Sequence, residues 1–167
     1  MLEVVTAIQP REGLPRRVGV AVLGELGRSP RMLYHALSLA VAGAEVQLIG
    51  EAGSALPAAL ASARAVTVDL MRPPLRPRGR RGPTWGALAA TQRTLRLGAA
   101  LRRMPRVETL LVQVPPAFPT LLVARRACRQ TGARLVVDWH NLAAPLAALR
   151  LGPRPPLVRW LASHALR

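Results

Sequence analysis

The sequence predicts an α/β fold, a parallel sheet with helices on both faces. Short β-branched apolar runs recur along the chain, and most are followed by a segment whose apolar residues return at helical spacing. The first of these runs is continuously apolar rather than alternating, as a strand buried on both sides must be.

Residues 18–23 (VGVAVL) form that first strand, which stops at Gly24. After the loop 24–28, Ser29 and Pro30 have the chemistry of a helix N-cap and first helical residue. Leu33, Ala36, Leu37 and Ala40 then fall at helical spacing, and Gly43 closes the helix. Residues 45–49 (EVQLI) read as the second strand and 65–70 (AVTVDL) as the third. Residues 72–83 (RPPLRPRGRRGP) lose all periodicity among prolines, glycines and five arginines, so they form an exposed loop. A helix follows over 84–104, with Trp85, Leu88, Leu95 and Ala99 along one side and Arg93, Arg96, Arg102 and Arg103 elsewhere, as in a partly solvated or membrane-facing element. Residues 108–114 (ETLLVQV) make a strand ending in Pro115 and Pro116, residues 119–131 a helix stopped by Gly132, and residues 134–138 (RLVVD) a last strand before Trp139, His140 and Asn141. Residues 155–167 read as a helix that ends abruptly. The domain therefore runs over 18–167, after an irregular N-terminal extension at 1–17.

In open parallel sheets, ligands bind beyond the carboxyl ends of the strands. That rule gathers the loop 24–31, the turn 113–116 and the segment 138–141 on one rim. In the first of these, Gly24 and Gly27 permit close backbone approach, and the helix beginning at Ser29 directs N–H groups and a positive dipole end towards an anion. Arg28 and Arg31 add donors suited to phosphate oxygens. A tight turn with an ordinary cap explains the same residues equally well. At 138–141, Asp138 and His140 fall on one side of an extended strand, where a carboxylate and an imidazole can share a hydrogen bond and deprotonate a hydroxyl. The plainer reading makes Asp138 a turn cap and His140 structural. Glu25, Asp138 and His140 are the ionisable candidates for a base on this rim, and an imidazole, titrating ordinarily near about 6.5, suits the task at neutral pH. His35, beside Tyr34 in the first helix, reads as a packing residue and His164 as a surface one.

Composition narrows the function classes. The chain has 167 residues, half of them hydrophobic, with 24 basic against 8 acidic residues and a formal charge of +16. Every basic residue is arginine. Such a surface attracts phosphates, anionic membrane or nucleic acid. Aromatic residues make up 3% of the chain, too few for a single-strand stacking platform, and no DNA-reading motif is present, so no nucleic-acid partner is expected. Cys128, the one cysteine, permits no internal disulfide and falls in a helical apolar pattern, as a core thiol does in a reducing compartment. Three scattered histidines give no zinc spacing, so no metal and no cofactor is expected. No apolar window reaches the length of a membrane span, which makes any membrane association peripheral.

Three segments, in order, resemble the chitobiosyldiphosphodolichol β-mannosyltransferase family. Residues 23–40 (LGELGRSPRMLYHALSLA) look like its opening motif, residues 113–116 (QVPP) with Pro119 resemble its second, and residues 137–141 (VDWHN) with Gly152, Pro153, Pro156, Leu157 and Val158 resemble its third. The likeness covers the chain from about Val18 onward. Glu25 stands where the family usually has Asp, and Val114 where it usually has Asn.

The resemblance implies a Rossmann-like domain, the N-terminal, acceptor-side domain of a GT-B fold. It implies inverting transfer of mannose from GDP-mannose to the N-acetylglucosamine pair on dolichyl diphosphate, without a metal, on the cytosolic face of the endoplasmic reticulum. Gly24, Gly27, Arg28, Ser29 and Arg31 would then hold the acceptor diphosphate, and a base among His140, Asp138 and Glu25 would take the acceptor proton. The family's spaced glutamate pair for the nucleotide sugar is not found among the eight acidic residues. The chain is thus expected to act as an acceptor-side half that is inactive alone. The rival reading is a non-catalytic module that binds a diphosphate lipid or a partner glycosyltransferase.

Overall fold

A computed structural model describes residues 13, 15–75, 83–114 and 119–139. Five parallel strands, β1 (Arg17–Glu25), β2 (Glu45–Glu51), β3 (Val66–Met71), β4 (Thr109–Val114) and β5 (Arg134–Trp139), lie in the order β3-β2-β1-β4-β5. This is the doubly wound, Rossmann-like order, whose winding reverses between β1 and β4. Val20 sits at the centre, in register with Leu48 on one side and Leu111 on the other. Because successive side chains alternate, β1 feeds both faces of the sheet.

On one face Val18, Val20 and Val22 pack with Val46, Leu48 and the buried side of α1 (Pro30–Val41), where Met32, Leu33 and Ala36 are buried. A short helix α2 (Ala58–Ser62), absent from the sequence-based expectation, plugs into this layer through Leu60. A five-residue helix is too short to show a period, which is why the sequence did not reveal it. On the other face Ala21, Ile49, Leu110 and Val112 meet α3 (Pro83–Arg103) and α4 (Thr120–Thr131). Cys128 lies in this layer; burial pushes its thiol up and keeps it inert.

The helix ends follow local chemistry. Past α1, Gly43 adopts φ +93°, and Gly43 and Ala44 donate back to Ala40 and Leu39. Gly132 ends α4 at φ +77° and donates to Cys128. At the start of α1, Ser29 occupies the N-cap position, but its hydroxyl makes no capping bond and instead approaches the Glu25 carbonyl at 3.5 Å.

The face of α3 that meets the sheet carries Ala89, Leu97, Ala100 and Leu101, while Leu88 and Leu95 are 44% and 67% exposed. Small residues let the helix approach closely: a Cβ added at Gly98 would lie 3.5 Å from Val123 of α4. The extension 1–17 is described only at 13 and 15–17, and there Arg17 already belongs to β1. Residues 155–167, and 76–82 of the basic loop, lie outside the described residues.

Candidate functional site

The carboxyl ends of β1, β2 and β5 bring most of the sequence-predicted residues to one rim. The loop after β1 tightens into a short 3-10 turn (Leu26–Arg28) leading into α1. Leu26 is fully buried and anchors it. The two glycines there differ. Gly24 borders open space, whereas a Cβ at Gly27 would come within 2.8 Å of the Ser54 and Ala55 carbonyls. Gly27 therefore serves close packing against the segment after β2, and Gly24 leaves room at the surface.

Glu25 is engaged in the same contact. Its carboxylate accepts from both the backbone N–H and the hydroxyl of Ser54, and any side chain at Gly53 would collide with it. The Ser54 hydroxyl bond, opposed by partial desolvation and aided by the Ser54 N–H and by Arg28, holds Glu25 below its ordinary value. A carboxylate stabilised in its charged form is a weaker base, so these contacts favour Glu25 as a brace between two loops.

The helix start offers fewer anion-binding donors than a generic one. Pro30 has no N–H, and Met32 and Leu33 both donate to the Ser29 carbonyl at 3.0 and 3.2 Å. Positive charge at this place comes mainly from side chains: Arg28 is exposed, and the Arg31 side chain is 53% exposed.

Arg31 has a second engagement that the sequence did not disclose. Its Nη2 lies 3.0 Å from Oδ1 of Asp138, whose side chain on β5 is only 6% exposed. His35, one turn further along α1, places Nε2 3.9 Å from the other oxygen, Oδ2. That oxygen has no hydrogen-bond partner among the described residues, nor has buried Oε1 of Gln113, the register partner of Asp138 on β4. Sequence reasoning had paired Asp138 with His140 along the strand; among the described residues the carboxylate is met from across the sheet, by α1. The i, i+4 spacing of Arg31 and His35 on one helix face was the available signal. His140, Asn141, Pro115 and Pro116 lie outside the described residues.

A second ion pair buttresses the rim. Glu51, ending β2, is 3% exposed and receives Arg93 of α3 through Nε at 2.6 Å and Nη2 at 3.2 Å. Among the described residues no group of three or more His, Cys, Asp or Glu side chains is placed to hold a metal ion, and no helix is long and apolar enough to cross a membrane.

These features define a Rossmann-like α/β domain with a basic carboxyl rim. The C-terminal domain of the PF1911 hydrogenase from Pyrococcus furiosus shares the fold, with a TM-score of 0.56 at 12% identity over 73% of this chain and 90% of that one. No protein-family model matches the chain. The sequence is nonetheless similar to the chitobiosyldiphosphodolichol β-mannosyltransferases. It is 35% identical to that of Yarrowia lipolytica over 87% of this chain and 32% of the relative, and 37% identical to that of Homo sapiens over 86% and 31%. It is 38% identical to the UDP-glycosyltransferase TURAN of Arabidopsis thaliana, over 89% of this chain and 34% of that protein. The resemblance carried by the three motifs thus holds across most of the chain, which spans about a third of the length of these relatives.

Proposed function

We propose that this chain is the acceptor-side domain of a glycosyltransferase that moves mannose from GDP-mannose to a chitobiose unit on a diphosphate-linked lipid. The observation that carries the reading is the rim itself. The opening motif, which the sequence shares in character with the mannosyltransferases, forms the β1–α1 loop, and its Arg31 reaches Asp138 of the third motif. Two segments far apart in sequence therefore meet at the place where a doubly wound sheet binds its ligand.

In this reading Gly24 leaves the surface open, Gly27 sets the loop, and the Arg28 and Arg31 side chains, beside the helix start at Ser29, receive the acceptor diphosphate. Arg31 has donors left for phosphate while one nitrogen holds Asp138. Glu25 braces the loop against Ser54. Inversion at the donor carbon requires a base for the acceptor hydroxyl, and an imidazole supported by Asp138 is that base. The nucleotide sugar is bound by a second domain, so the chain alone carries no turnover. The chain lies at a membrane through α3, α4 and the basic loop 72–81. Helices α3 and α4 contain no acidic residue, and they leave Leu88, Leu95, Leu122, Arg102, Arg126 and Arg129 exposed. That combination suits an anionic bilayer surface, and the cytosolic face of the endoplasmic reticulum is the proposed location.

Titration calorimetry tests the division of labour. A short-chain chitobiosyl diphosphate lipid should bind the chain, weakened by Arg28→Ala, while GDP-mannose should not. Tight GDP-mannose binding without acceptor binding would overturn the assignment.

A further inference from the structure

The Asp138 carboxylate is buried but half satisfied. Arg31 holds Oδ1 at 3.0 Å, while Oδ2 has no hydrogen-bond partner among the described residues and faces Nε2 of His35 at 3.9 Å. A buried acceptor left unpaired is costly, and a small movement of the imidazole removes that cost. Gln113 adds a second unpaired buried acceptor, in register with Asp138, so the spot needs a donor. Among the described residues, the charged groups at the imidazole are Asp138 from β5 and, through that carboxylate, Arg31 from its own helix.

The His35 side chain is 42% exposed, unlike the carboxylate it approaches. With the Nε2 proton directed to Oδ2, Nδ1 is left as the nitrogen that carries the lone pair. This is the orientation logic of a carboxylate–imidazole pair, in which the acid fixes the tautomer and the ring does the chemistry. Arg31 makes the carboxylate rigid, because one oxygen is clamped and only the other is left for the ring.

We infer that His35 is the base of the acceptor site, held by Asp138 and, through it, by Arg31. The assignment rests on the glycosyl-transfer reading above and names the base within it, in preference to His140. In the step, the acceptor hydroxyl oxygen forms a bond to the anomeric carbon of a nucleotide diphosphate sugar. The bond from that carbon to the diphosphate oxygen breaks, the diphosphate leaves with the electron pair, and the hydroxyl proton passes to Nδ1 of His35. His35 is the catalytic residue here; Asp138 and Arg31 are positioning residues.

The test is proton and nitrogen NMR of the 167-residue chain labelled on histidine. The expected spectrum contains a downfield imidazole Nε2 proton protected from water exchange, absent in His35→Gln and shifted upfield in Asp138→Asn. A short-chain chitobiosyl diphosphate lipid should then shift the His35 Nδ1 resonance. No protected proton from His35, or acceptor binding that shifts only His140, overturns the assignment. A protected proton in a chain that does not bind the acceptor keeps the His35–Asp138 pair and sinks the acceptor reading. If Asp138→Asn fails to fold, the wild-type proton and its response to the acceptor decide the matter.

Discussion

Replacing Arg93 with alanine should be among the most damaging single changes outside the apolar core. Glu51 is buried at the end of β2 with its side chain 4% exposed, and both of its oxygens are taken by Arg93, at 2.6 and 3.2 Å. Removing the guanidinium leaves a buried charge without a partner, a loss of about 3–5 kcal/mol. Arg93 is 28% exposed, so water entering the vacated space should bring the loss to the lower end, about 3 kcal/mol. A domain of this size has roughly 5–15 kcal/mol in total. With a urea slope of about 1–3 kcal/mol per molar, the unfolding midpoint should fall by about 1–3 M at unchanged slope. The double change Glu51→Leu with Arg93→Leu should recover much of that loss, since apolar groups of similar size replace buried pairs at little cost. A loss below about 1 kcal/mol in Arg93→Ala, the scale of an exposed ion pair, would refute the reasoning.

Gly27→Ala should destabilise by about 1–3 kcal/mol, because the new methyl meets two carbonyl oxygens at 2.8 Å, while Gly24→Ala, facing open space, should be close to neutral in the same urea titration. Glu25 should make stability depend on acid pH: its folded value is depressed, so its contribution is present above the ordinary value of 4.5 and is lost as pH falls through the lowered one. Ser54→Ala should flatten that slope, and an identical slope in the variant would contradict the brace. Liposome flotation should show binding to anionic vesicles that weakens with salt, each arginine near the surface contributing about 1 kcal/mol. Equal binding to neutral vesicles would remove the electrostatic account of the α3–α4 face.

Most of the fold could be read from the sequence because each strand is a short apolar run bounded by Gly, Pro or a charged residue, and each longer helix has a period. In α3, Leu97 and Leu101 face the sheet with Ala89 and Ala100 while Leu88 and Leu95 stay exposed, so helix phase rather than residue size decides which leucines pack. The rim was readable as a place, from the topology rule, but not as a set of contacts. Arg31 and Asp138 are more than a hundred positions apart, and only the reach of the Arg31 side chain from α1 to the carboxyl end of β5 brings them together. The i, i+4 spacing of Arg31 and His35 marks a shared helix face but not the distant carboxylate they meet, and Ser54 is hidden because the partner of Glu25 lies in a different loop.

The central claim is that the acceptor is bound at the carboxyl rim. A rival location exists at the opposite pole, where a hollow of about 510 Å³ is lined by Arg17, Arg64 and Arg106 beside Glu45. Backbone NMR of the labelled chain, titrated with a short-chain chitobiosyl diphosphate lipid, separates the two. The account predicts shifts at Gly24, Gly27, Arg28, Ser29, Arg31 and Asp138, and none at Arg64 or Arg106. Shifts confined to Arg17, Arg64 and Arg106, with the rim unmoved, would contradict it.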